Sequence, residues 1–499
     1  MNRRFAALKI LAGLNAVLVR GVASVVALAW LASGAAFADG GNASVATPSG
    51  IEDATATALA SVVARPGGLT ADEVAERAVR TSLDLKARNA ETEAAEAERA
   101  AALVAWIPRL AVSFEHDQLS DAPQQTLGTI VTSGGPTGPV QPGTPLMSVP
   151  LTYRAPAHKT AFATTIEVPL SDYFLLTPHN VAAATRSEEA ASFTSAATGR
   201  EVAVEARVLY YEWARARLEI AVAEQALEQS RSHLSDAQAG VAAGTASRAD
   251  VLRIESALAE NELNVVRARN AAERQLRRLR TAVHEPPDST YEVGEDLLAE
   301  LPPLEDAPGV ETLVGEAFRA RPEIKALDRT EQAVAEQARA RTGSALPRIE
   351  LQGGMIDSNP DPRTLGSDGF ERTWQVGIAV SYSPNDGVIN LRKGDAARAR
   401  ATAAGAERGA EEDRIRTEVE QAWLADLEAR TAIRSTRRGL EAATESYRVR
   451  RMLFQNGRAT SGELTDAETD LTRARVAAID AHVDHRVARA KLLHATGRQ

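Results

Sequence analysis

The stretch PRLAVSFEH, residues 108–116, decides the reading of this chain. Before it, from Thr70 to Trp106, there is no Gly or Pro, Ala is frequent, and Asp72 and Glu73 stand where a first helical turn favours acids, so the sequence predicts a helix. Pro108 ends that helix, and the apolar period changes from 3.6 to 2. Leu110, Val112 and Phe114 then share one face of a strand, and Ala111, Ser113 and Glu115 share the other. A second strand answers it in KTAFATTIEVPL, residues 159–170, with Phe162, Ile166, Val168 and Leu170 on one face. Between them, residues 120–158 are rich in Gly, Pro, Thr and Ser and read as a long exposed loop.

Working outward, a helical pattern follows Pro178 to Gly240, the segment GVAAGTAS (240–247) reads as a turn, and helix resumes from Asp250 to Val283. Along that helix Val251, Ile254, Leu258, Val265, Ala268, Ala272, Leu276, Leu279 and Val283 form a coiled-coil seam containing small residues. The short turn makes the two helices an antiparallel hairpin. A Pro-rich acidic linker, residues 285–308, closes this half.

The pattern then repeats. A shift of 239 residues, read off the sequence, brings Ala78, Arg80, Lys86, Pro108 and Arg109 onto Ala317, Arg319, Lys325, Pro347 and Arg348. Ile349, Leu351 and Met355 share a face of strand three, and Trp374, Val376, Ile378, Val380 and Tyr382 share a face of strand four. A long helix to Asn456, the turn GRATSG (457–462) and a last helix from Glu463 complete the second half. The expected domains are therefore a first repeat at 69–284, the linker at 285–308 and a second repeat at 309–499.

Composition agrees. Ala fills 96 of the 499 positions while Phe, Trp and Tyr together make up 4%, which excludes an ordinary large core and suits closely packed helices. With 57 basic against 67 acidic residues there is no basic excess for nucleic acid. The absence of Cys removes disulfides, Cys-ligated metal, thiol chemistry and an N-terminal lipidated cysteine. At the start, Arg3, Arg4, Lys9 and Arg20 precede the apolar run Val22 to Leu31, and Ala36, Phe37 and Ala38 offer a cleavage site. Residues 1–38 thus read as a secretory signal peptide, and 39–68 as a small-residue disordered segment.

Each strand has about the 9–11 residues needed to cross hydrocarbon when tilted, with one large apolar face. Leu110, Val112, Phe114, Phe162, Ile166, Val168, Ile349, Leu351, Trp374, Val376, Ile378 and Val380 are the candidate lipid-facing residues. The alternative is a sheet covered by a soluble core. Backbone in lipid must be fully paired, and four strands cannot close a barrel, so a transmembrane reading requires several copies. Catalytic motifs are absent, and no catalytic residue or cofactor is expected. His482 and His485 could share a metal, but no third ligand is obvious nearby and a solvated helix face is the stronger reading, so no metal site is expected.

The duplication, the Pro-ended helix entering a strand, and the tips GTASRADVL (244–252) and FQNGRATSGELTDA (454–467) resemble outer-membrane efflux proteins of the TolC type. That resemblance implies a homotrimer whose twelve strands form one outer-membrane barrel and whose hairpins form a periplasmic tunnel. It also implies two partners, a periplasmic adaptor and an inner-membrane pump, with this chain as the passive exit duct. By the same resemblance Gly244, Thr245, Ala246, Ser247, Gly457, Ala459 and Thr460 would meet the adaptor, and Asp250, Glu463 and Asp466 would form a cation-selective constriction. Phe454 stands where the family often has a latch tyrosine. Ala459 stands where a latch arginine can stand, and Arg458 offers a substitute. Read from the residues alone, Asp250, Glu463 and Asp466 are equally helix N-terminal acids favoured by the macrodipole. Against the duct stands a soluble periplasmic coiled-coil scaffold or adaptor, which needs the hairpins but not the alternating strand faces.

Overall fold

The structure, a computed structural model, describes residues 65–120, 125–133, 141–153, 156–302, 309–361 and 369–498. The expected signal peptide and residues 39–64 lie outside them. Residues 65–68, expected within the disordered segment, are instead fixed: Arg65 N donates to Val293 O at 3.0 Å and leads directly into the fold.

The region expected as one helix to Trp106 is two, α1 (Ala71–Thr81) and α2 (Leu83–Val104). A capping box between Thr70 and Glu73 starts α1, and the Ser82 side chain accepts from Leu85 N to start α2. Thr81 Oγ1 donates to Val283 O at 3.0 Å, tying the break to a distant segment, which is why local propensity alone does not show it. The second repeat breaks at the same place, between α6 (Val310–Ala320) and α7 (Pro322–Gly343), where Pro322 has no N–H to continue the helix.

After α2 come β1 (Arg109–Gln118), β2 (Gln125–Ser133), β3 (Leu146–Tyr153) and β4 (His158–Val168). The segment expected to be loop therefore contains a separate antiparallel hairpin, β2–β3, in which Ile130 opposes Val149. Its Gly, Pro and Thr content hides the strand pattern in QTLGTIVTS and LMSVPLTY. A short turn α3 (Asp172–Leu175) leads into α4 (Thr177–Ala243), which folds back through Gly244 into α5 (Arg248–Ala282). The second repeat continues from α7 through β5 (Arg348–Asn359) and β6 (Glu371–Ser381) to α8 (Pro384–Gln455) and α9 (Ser461–Thr496). The 67 residues of α4 and 72 of α8 correspond to about 100 Å and 108 Å.

The described part of the linker is packed rather than free. Leu69 N donates to Glu292 O at 2.8 Å and Gly294 N to Leu69 O at 2.9 Å, a short parallel bridge. The approach is so close that a Cβ on Gly294 would lie 2.3 Å from Gly68 O. Val293 and Leu297 then join the larger apolar cluster, built around Tyr210, Trp213, Leu218, Leu279 and Val283. A second cluster, with Leu313, Val314, Ile415, Val419 and Leu492, sits at the matching place in the other repeat. In both, a short helix (α1 or α6) buries small apolar residues against a long one. Of the seam expected on α5, Ile254, Val265, Ala272, Leu279 and Val283 are buried and the rest half-buried.

Candidate functional site

β1, β4, β5 and β6 form one antiparallel sheet in the order β1-β4-β5-β6. Its register sets Leu110 opposite Ile166, Phe114 opposite Phe162, Val168 opposite Leu351, Ile349 opposite Val380 and Leu351 opposite Ile378. Because side chains alternate along a strand, all twelve apolar candidates fall on one face. That face is bare: Trp374 is 73% exposed, Phe114 70% and Ile378 70%. The row Leu110, Ile166, Gly353, Val376 runs from the helix-proximal ends of β1 and β4 to the middles of β5 and β6, and a Cβ on Gly353 would meet Ile166 Cγ2 at 2.9 Å. At one end Arg372 Nη2 donates to Asp357 Oδ2 at 2.9 Å. The opposite face is small and polar, with Lys159 to Glu115 at 3.5 Å and Arg348 to Glu350 at 3.0 Å. At the helix-to-strand joint Trp106 stacks on Tyr173 at 5.6 Å; Phe174, next to Tyr173, is exposed, as is Tyr382 just after β6.

The helices repeat the order of the strands. α2 runs into β1, β4 into α4, α7 into β5 and β6 into α8. α2 packs on α4, α4 on α7, and α7 on α8. Sheet and helical layer thus form one wall with the same sequence of elements, open at β1/α2 on one side and β6/α8 on the other. The repeats expose this unevenness: α7, with a neighbour on each side, buries Ile324, Ala326, Ala333, Ala338 and Ala340, whereas α2 buries nothing. Among the described residues no helix is long and apolar enough to cross a membrane.

At the far end of the hairpins each tip is a capping device. Gly244 takes φ 78° and Gly457 φ 66°, the left-handed turn that glycine tolerates. Ser247 caps α5 in a box with Asp250, and Thr460 caps α9 in a box with Glu463. The tips touch: Ser461 Oγ donates to Asp250 Oδ1 at 2.5 Å. Hydrogen bonds from Ser247 and then Ser461 pull the Asp250 carboxyl down to about 2. Glu463 is held below the usual carboxylate range by the Thr460 backbone and by Arg450, whose Nη1 donates to it at 2.5 Å.

The acids expected at the gate from sequence have different surroundings. Asp250 joins the two hairpins, Glu463 pairs within its own hairpin, and Asp466 stands exposed further along α9. Phe454 packs against the cluster of Tyr447, Leu464, Ala467 and Leu471. Arg458 is exposed, its backbone N donating to Leu453 O at 2.8 Å, and Ala459 is half-buried. Thr245 Oγ1 donates to Gly240 O at 3.2 Å, and Ala246 N donates to the same carbonyl at 3.2 Å. Ser461 and Arg450 are the tip residues that sequence reasoning missed, and no motif marks either. His485 lies 3.6 Å from buried Asp426, while His482 has Arg437 and Glu300 in its surroundings. Among the described residues no group of three or more such side chains could hold a metal.

A model of the outer membrane efflux protein family matches residues 74–283 and 313–498. The solved outer-membrane channel OprN is similar at 21% identity and TM-score 0.69, over 88% of this chain and 95% of that one. The outer membrane channel CmeC of Campylobacter jejuni is similar at 14% identity and TM-score 0.67, over 86% and 85%. The open state of the MtrE outer membrane channel of Neisseria gonorrhoeae gives 17% and 0.67, over 86% and 88%. No functionally curated protein matches.

Proposed function

Because this chain belongs to the outer membrane efflux protein family, we propose that it is the passive exit duct of a tripartite export system. Three copies close into a ring, with twelve strands in the outer membrane and the hairpins forming a tunnel through the periplasm. The observation that carries this is the doubly open wall. The sheet and the helical layer end at the same two edges, and a head-to-tail contact of β6/α8 of one copy with β1/α2 of the next completes both together. That contact also covers α2, giving it the second neighbour that α7 already has.

The bare apolar sheet face then meets lipid. A strand of 11 residues such as β6 spans about 37 Å, and a tilt of about 35–45° brings it near the apolar band of about 25 Å. The polar face lines the lumen. At the other end the tips meet a periplasmic adaptor through Gly244 to Ser247 and Gly457 to Thr460, and an inner-membrane pump supplies the energy. Exposed carboxylates of Glu463 and Asp466, repeated by the ring symmetry, favour cations at the narrow entrance. No residue of the chain is assigned to catalysis.

Cell fractionation tests the reading against a soluble scaffold. The mature chain should sediment with outer membranes and need detergent for release as an oligomer. Recovery as a soluble periplasmic monomer without detergent would overturn it.

A further inference from the structure

About two to four helical turns from the tips, all four hairpin helices meet at a buried polar knot. Ser230 Oγ on α4 donates to Glu468 Oε1 on α9 at 2.8 Å, and Asn261 Nδ2 on α5 donates to Ser230 at 2.7 Å. His233 Nε2 on α4 lies 2.9 Å from the Tyr447 hydroxyl on α8 and 3.8 Å from Glu468 Oε2. Ser230, His233, Tyr447 and Glu468 are 1%, 2%, 1% and 6% exposed. The knot joins the first hairpin to the second, so it lies across any movement that separates them. Its charged surroundings are Asp236 on α4, Glu260 on α5, Arg451 on α8 and Arg475 on α9.

We propose that Glu468 and His233, a buried acid and a buried base facing each other at 3.8 Å across the junction of the two hairpins, form a proton-compensated clasp that keeps hairpin packing nearly independent of pH. Burial pushes the Glu468 carboxyl up to about 7 from its ordinary 4.5, against the pull of Ser230 and Arg475. The closed clasp therefore holds this proton more tightly than an exposed Glu468 would, and it weakens as pH rises from about 4.5 to 7. Burial, then Arg451, pushes the His233 imidazole down to about 4 from 6.5. The closed clasp disfavours that proton and weakens as pH falls from about 6.5 to 4. The two slopes are opposite and cover nearly the same interval. Each pH unit is worth a factor of ten in the opening equilibrium for one group, and with both present the opposite slopes largely offset each other. The outer membrane is permeable to protons, so a duct end in the periplasm experiences external acidity directly, and such compensation would keep its packing constant.

The test is amide hydrogen exchange of the assembled, membrane-reconstituted protein over residues 228–237 and 464–471, corrected for intrinsic exchange, between about pH 4.5 and 7.5. Wild-type protection should vary by less than about fivefold. Glu468→Gln leaves only the His233 slope, and its exchange should rise about 70-fold on acidification; His233→Gln leaves only the Glu468 slope, and its exchange should rise about 100-fold toward alkaline pH. Wild-type protection that changes tenfold or more, or variant profiles that stay flat or lean the same way, overturns the proposal. Should Glu468→Gln fail to assemble, His233→Gln decides alone: a rise with pH supports the clasp, and a flat profile refutes it.

Discussion

Val376 and Gln375 are adjacent on β6, and both are exposed in the single chain. They lie on opposite faces of the sheet. Val376 lies at the middle of β6, opposite Gly353 on the apolar face, whereas Gln375 lies opposite Gly354 on the polar face. If the apolar face meets lipid, Val376→Arg places a guanidinium near the centre of the hydrocarbon band. That costs about 2–4 kcal/mol per copy, or about 6–12 kcal/mol for a three-copy barrel. Gln375→Arg places the same group in the lumen beside small side chains, where the cost is near zero. The assay is refolding into lipid vesicles over a urea series, read as the yield of the detergent-resistant oligomer. Val376→Arg should lose most of its assembled form while Gln375→Arg matches wild type. Equal yields from the two variants, or a Val376→Arg chain that becomes more soluble and otherwise behaves normally, would refute the lipid assignment.

Two further outcomes follow from the tips and the linker. Replacing Glu463 and Asp466 by Ala should weaken cation selectivity and multivalent-cation block in planar bilayers, with assembly intact; unchanged currents and selectivity would remove both side chains from the entrance. Gly294→Ala puts a methyl group where the Gly68 carbonyl already stands, so thermal unfolding should begin at a temperature lower by several degrees, a shift of about 2–4 °C for each kcal/mol lost. Gly315→Ala, which meets little in the structure, is its control, and equal melting of the two variants would show that the linker is not held there.

The parts of the fold set by local periodicity were legible. Alternation in 109–115 and 373–382 reports strands, seven-residue repetition on α5 reports a hairpin, and Pro108 and Pro347 mark the same joint twice. The β2–β3 hairpin was not, because Thr, Gly and Pro dilute its apolar positions below a recognisable alternation. The break at Ser82 was hidden too, since it is held by Val283, far along the chain. At the tips, turn glycines and capping acids have local causes and could be read directly. The partners of those acids could not. Ser461 and Asp250 are 211 residues apart, and Ser230 and Glu468 are 238 apart, so only the packing of one repeat against the other brings them together. The whole of the buried knot is of this kind: single His, Tyr and Glu residues on long helices look like ordinary solvated positions until four helices converge on them.

The wall with two raw edges has a genetic consequence. If the proposed ring forms, a subunit that needs a neighbour on each side cannot fail privately, because a damaged edge spoils the ring it enters. When a cell makes defective and sound copies in equal amounts, a three-copy ring formed at random is wholly sound only about one time in eight. Alleles that fold but carry a faulty β1/α2 or β6/α8 edge should therefore behave as dominant, while alleles too unstable to reach assembly should be recessive.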